Sequence, residues 1–423
     1  MTTELLWEYI TKHKNRMSQY KELLDAYTND YPIFKFDDKP DWKPDNRLAV
    51  NFAKYITDTM NGFFIGVPIK ISHDDEKVNE YLNFVDQYND QDDNNAELSK
   101  ICSIFGHGYE MLFIDEQSNI GITYLTPMDC FIIYDDSIVR RPMYAVRWYI
   151  DNDNILRGSF SDSNHIQYFH QDGNIVFDEI EEHYFGNVPI IEYLENEERL
   201  GIYESVLPLI NEYNKALSEK ANDVDYYADA YLKILGASLD EDSLKNLRRN
   251  RIINFSGDDS DKIIVEFMQK PDADNTQEHL IDRLERLIFQ ISMVANISDE
   301  NFGTSSGIAL KYRLQSMNNL RKTKERKFTS GLNRRYQMIA HCPVSKMSEN
   351  DWLDIKYTFT PNIPSNLLEE TQIAGNLSGI TSKETQLEVL SCVDSVQSEL
   401  EKLDKEQDKT AYETDYPTQR TVE

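Results

Sequence analysis

The feature that most constrains this chain is a change of hydrophobic period along it. Residues 108–195 break into short runs rich in β-branched and aromatic side chains: YEMLFID, GITYLT, CFIIYD, MYAVRWYI, IQYFH, NIVFDEI and VPIIEYL, separated by turn residues such as DGN. Runs of that kind build a mostly antiparallel sheet region. On either side, apolar residues recur at three- and four-residue steps, as in amphipathic helices. The expected class is α+β, with the strands gathered in one stretch and helices flanking them.

Ahead of the sheet region, residues 4–29 read as one helix, striped by Leu5, Leu6, Tyr9, His13, Met17, Tyr20, Leu24 and Tyr27. Pro32, Pro40 and Pro44 punctuate a link. The stretch NRLAVNFAKYITDTMNGFFIGVPIKI then predicts a helix over 46–60 that ends at Gly62 and leads into a short strand. Residues 72–97 carry nine Asp and Glu against one Lys and are expected to form two helices. After the sheet region a helix of about 28 residues starts near Tyr203, its face marked by Val206, Leu207, Ile210, Tyr213, Leu217, Ala221, Val224 and Ala228. The insert YLKILG, DEDSLKNLRR, RIINFS, KIIVEFM reads as strand, helix, strand, strand. A second long helix, 276–295, has the stripe Leu280, Leu284, Leu287, Ile288, Ile291 and Val294, with Asn275 and Glu278 as its cap pair. The polar loop in NISDENFGTSSGIALKYRLQ follows, flexible at Gly303 and closed by a Ser305/Ser306 cap. A third helix, 306–341, stops before Pro343; at 1.5 Å per residue it would be roughly 54 Å long. WLDIKYTF reads as a strand, 366–410 as polar helix and 411–423 as a loose tail.

Composition sets bounds on function. Hydrophobic content of 40%, with 25 Tyr and 19 Phe, is enough for a sizeable core. No apolar run approaches the roughly 18–20 residues that span a bilayer. The start, MTTELLWEYITKHK, lacks the pattern of a signal peptide, so the expectation is a soluble protein made inside the cell, with no membrane contact. Cys102, Cys130, Cys342 and Cys392 form no CxxC pair and are expected to be buried reduced thiols. A net charge of −30 argues against a surface that grips nucleic acid throughout, because phosphate binding needs Lys and Arg.

Catalytic signatures are absent: there is no GxxxxGK[ST], HExxH, GxSxG or Rossmann fingerprint, so neither cofactor nor catalytic residue is expected. FGHGYE (105–110) has two glycines and reads as a turn before a strand. NDQDDNNAE (89–97) has neither the glycine nor the final acid of a calcium loop in register and reads as a solvated helix–helix connection. Asp135 and Asp136 after FIIY leave a metal-dependent nucleic-acid enzyme as the alternative, with a β-turn start as the simpler reading.

The positive signal is charge placement. Residues 306–335 hold nine Lys and Arg (Lys311, Arg313, Arg321, Lys322, Lys324, Arg326, Lys327, Arg334, Arg335) and one acid, Glu325. Such a helix is a solvated face, a nucleic-acid contact, or an interface with the acidic stretches 72–97 and 178–204, within or between subunits. Interface or surface is the favoured reading over DNA contact.

The order of helix, small α/β insert, helix, polar loop ISDENFGTSSGIALKYRL and long helix with KERKFTSGLNRR, preceded by NRLAVNFAKYITDTMNGFFIGVPI and PLINEYNKALSEKANDVDYYADAYLKILG, resembles the portal (head–tail connector) proteins of tailed bacteriophages, in the branch typical of siphophages of Gram-positive hosts. The resemblance covers roughly residues 40–340. It implies the portal fold of wing, stem, clip and crown: 1–200 wing, 201–230 stem helix, 231–270 clip, 271–296 second stem helix, 297–306 tunnel loop, 307–342 long wing helix, 343–410 crown and 411–423 tail. It further implies a non-enzymatic ring, commonly of twelve subunits, at one capsid vertex, assembled in the host cytoplasm. The implied partners are double-stranded DNA in the tunnel, terminase, head–tail adaptor, and major capsid and scaffold proteins. By position, Asn301, Phe302, Gly303, Thr304 and Ser305 would face DNA. Arg248, Arg249 and Arg251 would lie in the docking clip, and Lys311, Arg313, Arg321, Lys322, Lys324, Arg326 and Lys327 would be subunit-interface candidates. The chain is short for the family, which implies a small crown; a scaffold-like protein of the capsid interior is the remaining option.

Overall fold

The computed structural model describes residues 1–40, 43–228, 232–235, 264–267, 274–297, 312, 314–362, 367–390, 392–393, 396, 399–400 and 402–405. The chain divides into two compact units, one of residues 1–302 with 312–361 and one of 303–311 with 362–423.

The stretch read as one N-terminal helix is two, α1 (Thr3–Lys14) and α2 (Met17–Tyr27). Thr2 caps α1 by accepting a bond from the Leu5 N–H at 3.3 Å. The break at Asn15 and Arg16 lets the two halves serve different cores. Leu6 and Ile10 of α1 pack on a five-stranded sheet, whereas Tyr20, Leu23 and Ala26 are the buried face of α2, which packs on a later helix, α5 (Gln91–Phe105).

Two antiparallel sheets form the centre of the larger unit. Strands β2 (His107–Ile114), β3 (Ile120–Leu125) and β9 (Ile190–Leu194) form one, in the order β3-β2-β9. Strands β4 (Cys130–Tyr134), β5 (Pro142–Ile150), β6 (Leu156–Ser161), β7 (His165–Asp172) and β8 (Asn174–Glu182) form the other as a meander in sequence order. Alternation gives each strand two faces. Val146, Trp148, Phe160 and Phe169 point to α1, while Cys130 and Ala145 point to Tyr109 and Ile190 of the smaller sheet. The larger sheet is thus buried on one side by a helix and on part of the other by a second sheet.

Between α1 and the sheet lies His13. The Trp148 indole N–H donates to its Nδ1 at 3.0 Å, so Nε2 carries the proton and donates to the Pro127 carbonyl at 2.7 Å. The ring stacks on Phe131, with centroids 4.6 Å apart. The residue that marks a helix stripe in the sequence is a neutral core histidine tying α1 to two strands.

Helix α5 packs on the smaller sheet, and α3 (Phe52–Ile65) and α4 (Glu76–Tyr88) pack against α5. Asn51 and Asp75 cap α3 and α4 by accepting backbone N–H bonds. Gly106 ends α5 at φ +81°, where a Cβ would sit 2.2 Å from the Arg199 backbone; the tight approach and the left-handed conformation both require glycine. Strand β1 (Lys70–Ser72) pairs with β12 (Lys356–Thr358); of the stretch 352–359 read as strand, Trp352, Leu353 and Asp354 instead belong to a 3₁₀ turn, Asp351–Asp354.

The helix expected over 46–60 starts later, at Phe52. Residues 46–50 instead run extended along α6 (Leu207–Ala228), and the reason lies in α6. Asn214, Ser218 and Asn222, at four-residue spacing on one helix face, accept bonds from the Val50, Leu48 and Asn46 backbone N–H groups at 2.8, 2.9 and 2.6 Å. A helix thereby supplies the side-chain acceptors that a neighbouring strand would supply from its backbone. Helix α6 is preceded by a 3₁₀ turn and starts later than expected.

Beyond α6, strands β10 (Leu232–Leu235) and β11 (Ile264–Phe267) pair antiparallel within the insert. Helix α7 (Asp274–Ser292) returns antiparallel to α6, with Gln277 bonded to Asp223 at 2.9 Å and Lys220 paired with Glu278. Helix α8 (Gln315–His341) is ~40 Å long at 1.5 Å per residue and ends just before Pro343. In the second unit, the short helices α9 (Leu367–Leu377) and α10 (Lys383–Glu388) flank a bridge between Ser378 and Thr381. Cys102, Cys130 and Cys342 are buried, but Cys392 is exposed, contrary to the expectation of four buried thiols.

Burial lowers the pKa of His13 and of His107, at the start of β2, to about 4. Both rings protonate more easily in the unfolded chain, near 6.5. Their contribution to stability is therefore complete above pH 6.5 and is lost as pH falls toward 4. Each should withdraw about 2 kcal/mol between pH 8 and pH 5. Thermal melts across this range should show falling Tm, and His107→Leu should make the slope shallower; an unchanged slope would place the titrating group elsewhere.

Candidate assembly and DNA-facing surfaces

The basic helix singled out in the sequence is α8, and its cations do not share one face. Lys322 and Arg326 are exposed. Lys327 is paired with Glu197. Arg321 is largely buried and holds Glu325 one turn on at 2.9 Å. Lys324 is 1% exposed: its ammonium donates to Glu195 at 2.6 Å, the Ser99 carbonyl at 3.0 Å and Ser103 Oγ at 2.5 Å. Arg321 and Lys324, named above as subunit-interface candidates, both find carboxylate partners inside the protomer.

Further along, Arg335 is 0% exposed and makes a bidentate bond to Glu110, itself 2% exposed on the central strand β2. The same guanidinium donates to Asn95 Oδ1 at 2.7 Å, and the Tyr193 hydroxyl donates to Glu110 at 3.3 Å. Burial works against the Arg335 charge, but the Glu110 carboxylate more than offsets it, so the pKa stands well above the ordinary arginine value. Nearby, desolvation raises the Asp86 carboxyl to about 6, while the Tyr336 hydroxyl donates to it at 3.1 Å. Gly331 allows this close packing, since a Cβ there would lie 2.3 Å from the Tyr193 ring. Part of the complementarity between the basic helix and the acidic stretch 178–204 is realised within one chain, by Lys324 with Glu195 and Lys327 with Glu197, whereas Arg335 finds its acid on β2.

Asn301, Phe302, Gly303, Thr304, Ser305, Arg248, Arg249, Arg251, Lys311 and Arg313 lie outside the described residues, as does the Ser305/Ser306 cap. Asp135 starts a turn: its Oδ1 accepts from the Ser137 and Arg141 N–H groups at 3.2 and 2.8 Å and from Ser137 Oγ at 2.6 Å, while Asp136 points to solvent. FGHGYE is the α5 cap followed by β2. In the calcium-like stretch only Asn89 and Asp90 connect the helices; Gln91 and Asn95 are buried on α5, which corrects the reading of a solvated connection. Among the described residues no three His, Cys, Asp or Glu come together in a way that could hold a metal ion, and no helix is long and apolar enough to cross a membrane.

The α7 stripe splits in two. Leu284 and Ile288 are buried, together with Ile281, which lies outside the stripe, but Leu280 and Ile291 are 46% and 48% exposed. Val224 on the partner helix α6 is 58% exposed. The sequence marks all of them as apolar but cannot separate a face turned to the core from one left open.

Breaking a buried ion pair leaves an uncompensated charge, which costs about 3–5 kcal/mol. Arg335→Met should therefore unfold the larger unit at markedly lower urea, and the double variant Arg335→Met with Glu110→Leu should recover much of the loss. Additive losses in that cycle would mean that the two groups do not depend on each other.

The family model and the relatives similar in sequence agree with one another. The family model described as "Phage portal protein, SPP1 Gp6-like" matches residues 7–413. The portal protein of Bacillus phage SPP1 is 23% identical over 397 residues, spanning 88% of this chain and 78% of that one. The portal protein of Clostridium phage phiCD119 is 24% identical over 405 residues, spanning 88% and 87%. Among solved structures, a chain of a native gene transfer agent virion aligns over 86% of this chain and 98% of its own at a TM-score of 0.49 and 11% identity. A chain from the neck of an empty gene transfer agent particle aligns over 80% and 89% at 0.47 and 11%. The chain belongs to the phage portal protein family, in its SPP1 Gp6-like branch.

Proposed function

We propose that the chain is one subunit of a closed ring, commonly of twelve copies in this family, at one vertex of a phage capsid. Double-stranded DNA enters and leaves through its central tunnel, with no sequence reading and no chemistry done by the ring. The observation that carries this is the family match from residue 7 to residue 413. In this reading residues 1–200 and 307–342 build the wing, 201–230 and 271–296 the stem, 231–270 the clip, 297–306 the tunnel loop and 343–410 the crown. The ring assembles in the host cytoplasm with capsid and scaffold proteins, docks terminase during packaging and then the head–tail adaptor.

Two features of the stem pair support the reading. Helices α6 and α7 run antiparallel, and the paired strands β10 and β11 lie between them in the chain, which suits a tunnel wall. Each holds four Asp and Glu against two Lys and Arg. A ring multiplies that excess by its copy number, and an acidic wall repels phosphate, so DNA slides instead of sticking. The open apolar positions Val224, Leu280 and Ile291 then suit packing against the next subunit, since closed rings join two different faces of the same chain.

Negative-stain electron microscopy of the purified chain should show rings with a central hole. Leu280→Asp with Ile291→Asp should abolish them while leaving the melting temperature of the protomer nearly unchanged, because both sites are exposed; rings that persist would remove α7 from the subunit contact. Deleting 301–305 should leave rings intact and impair packaging or DNA retention, and normal packaging would reassign that loop. Charge reversal at Arg248, Arg249 and Arg251 should weaken terminase or adaptor docking, and unchanged docking would make them ordinary surface.

A further inference from the structure

We propose that the tip of the β4–β5 hairpin of one copy of this chain seats in the cleft between α2 and α6 of a neighbouring copy. This rests on the ring reading and names a contact within it. At the tip, Ile138 is wholly exposed and Val139 is 71% exposed. Turn tips ordinarily carry Gly, Asn, Asp or Ser, which suit water and left-handed backbone. Here two β-branched aliphatic side chains stand in solvent instead. Arg140 follows them at φ +50°, a conformation that a long side chain rarely adopts.

The tip is nonetheless held firmly. Asp135 Oδ1 accepts from the Ser137 and Arg141 N–H groups at 3.2 and 2.8 Å. The Asp135 N–H donates to the Arg141 carbonyl at 2.9 Å, and the Arg140 N–H to the Ser137 carbonyl at 3.0 Å. A strained turn kept in one shape by its own hydrogen bonds presents a preformed apolar knob, and a preformed knob loses little freedom on docking.

The cleft has the matching chemistry. It lies between α2, residues 30–35 and the first turns of α6, and has a volume of about 280 Å³. Ala26, Tyr31, Pro32 and Leu207 give it an apolar lining. Around that lining stand three carboxylates, Glu22, Asp25 and Asp30, against two lysines, Lys21 and Lys35, which leaves one negative charge over. Lys35 is shared between Asp25 and Asp30 at 3.0 and 2.9 Å, while Glu22 is exposed. The knob brings the opposite sign, since Arg140 and Arg141 are both exposed. Of the carboxylates whose field they share, Glu197 holds Lys327 and Asp135 holds the turn's own N–H groups. Another cleft, lined by Asn187, Gln337, His341, Glu349 and Asn350 among others, is mainly polar and suits an aliphatic pair less well. A head-to-tail contact joins two unlike patches of the same chain, and a ring closes on that arrangement. The knob, beyond the Tyr134 and Pro142 ends of its strands, and the cleft, on α2 and α6, are such a pair.

The test uses the full-length chain. Ile138→Ser with Val139→Ser should melt at the wild-type temperature, because both side chains are exposed, yet self-association should weaken by roughly tenfold or more in mass photometry. From the other side, a photo-cross-linker at position 21, in a mixture of isotopically heavy and light chains, should capture a peptide containing residues 138–141 of another copy. Double-variant and wild-type chains that associate equally would overturn the contact. So would capture only of peptides from the same chain, or from elsewhere in the other copy. If the double variant fails to fold, the cross-link alone decides. A wild-type chain that never self-associates would overturn the ring reading and the contact with it, whereas normal assembly of the double variant overturns the contact alone.

Discussion

The larger unit depends on two carboxylate–cation pairs buried between α8 and the three-stranded sheet. Glu110 on β2 and Glu195 just after β9 receive Arg335 and Lys324 from a single helix. Helix α8 carries few apolar residues for its length, and its basic side chains would ordinarily keep it in water. Placing acids at matching heights on the sheet makes burial tolerable and fixes the helix in register, since sliding it by one turn would break both pairs and leave their charges uncompensated. Asn95 and Gln91 on α5 and Tyr193 on β9 complete the hydrogen bonding, so three elements are keyed to one guanidinium.

The same logic recurs in neutral form along α6. Asn214, Ser218 and Asn222 hold residues 46–50 through backbone N–H groups, and His13 joins α1 to Trp148 and the Pro127 carbonyl. Polar side chains are used here as fasteners between elements far apart in sequence. Such fasteners give a protomer with fixed geometry, which a repeating ring requires, because a small error in each contact accumulates around the circle.

Much of the architecture was legible. The sheet region and the helices around it follow from period and turn residues, and the order of helix, insert, helix and polar loop carried the family resemblance. Helix boundaries were less legible. The stretch 46–50 has a helical pattern, but acceptors 160 and more residues away hold it extended. The break between α1 and α2 was equally hidden, since Asn15 and Arg16 carry no strong stop signal and the two cores they separate are formed by later strands and helices.

Sequence alone determined the class of the fold, the family, the acidic character of the chain and the location of its basic helix, because these depend on local period and on which residues are present. Only the tertiary structure decided which charges are available to a partner. Lys322 and Lys324 are the same residue type two positions apart, yet one lies in solvent and the other is locked to Glu195. A 3.6-residue helix turns neighbouring side chains to different sides, and whether a side meets water or carboxylate is set by strands distant in the chain.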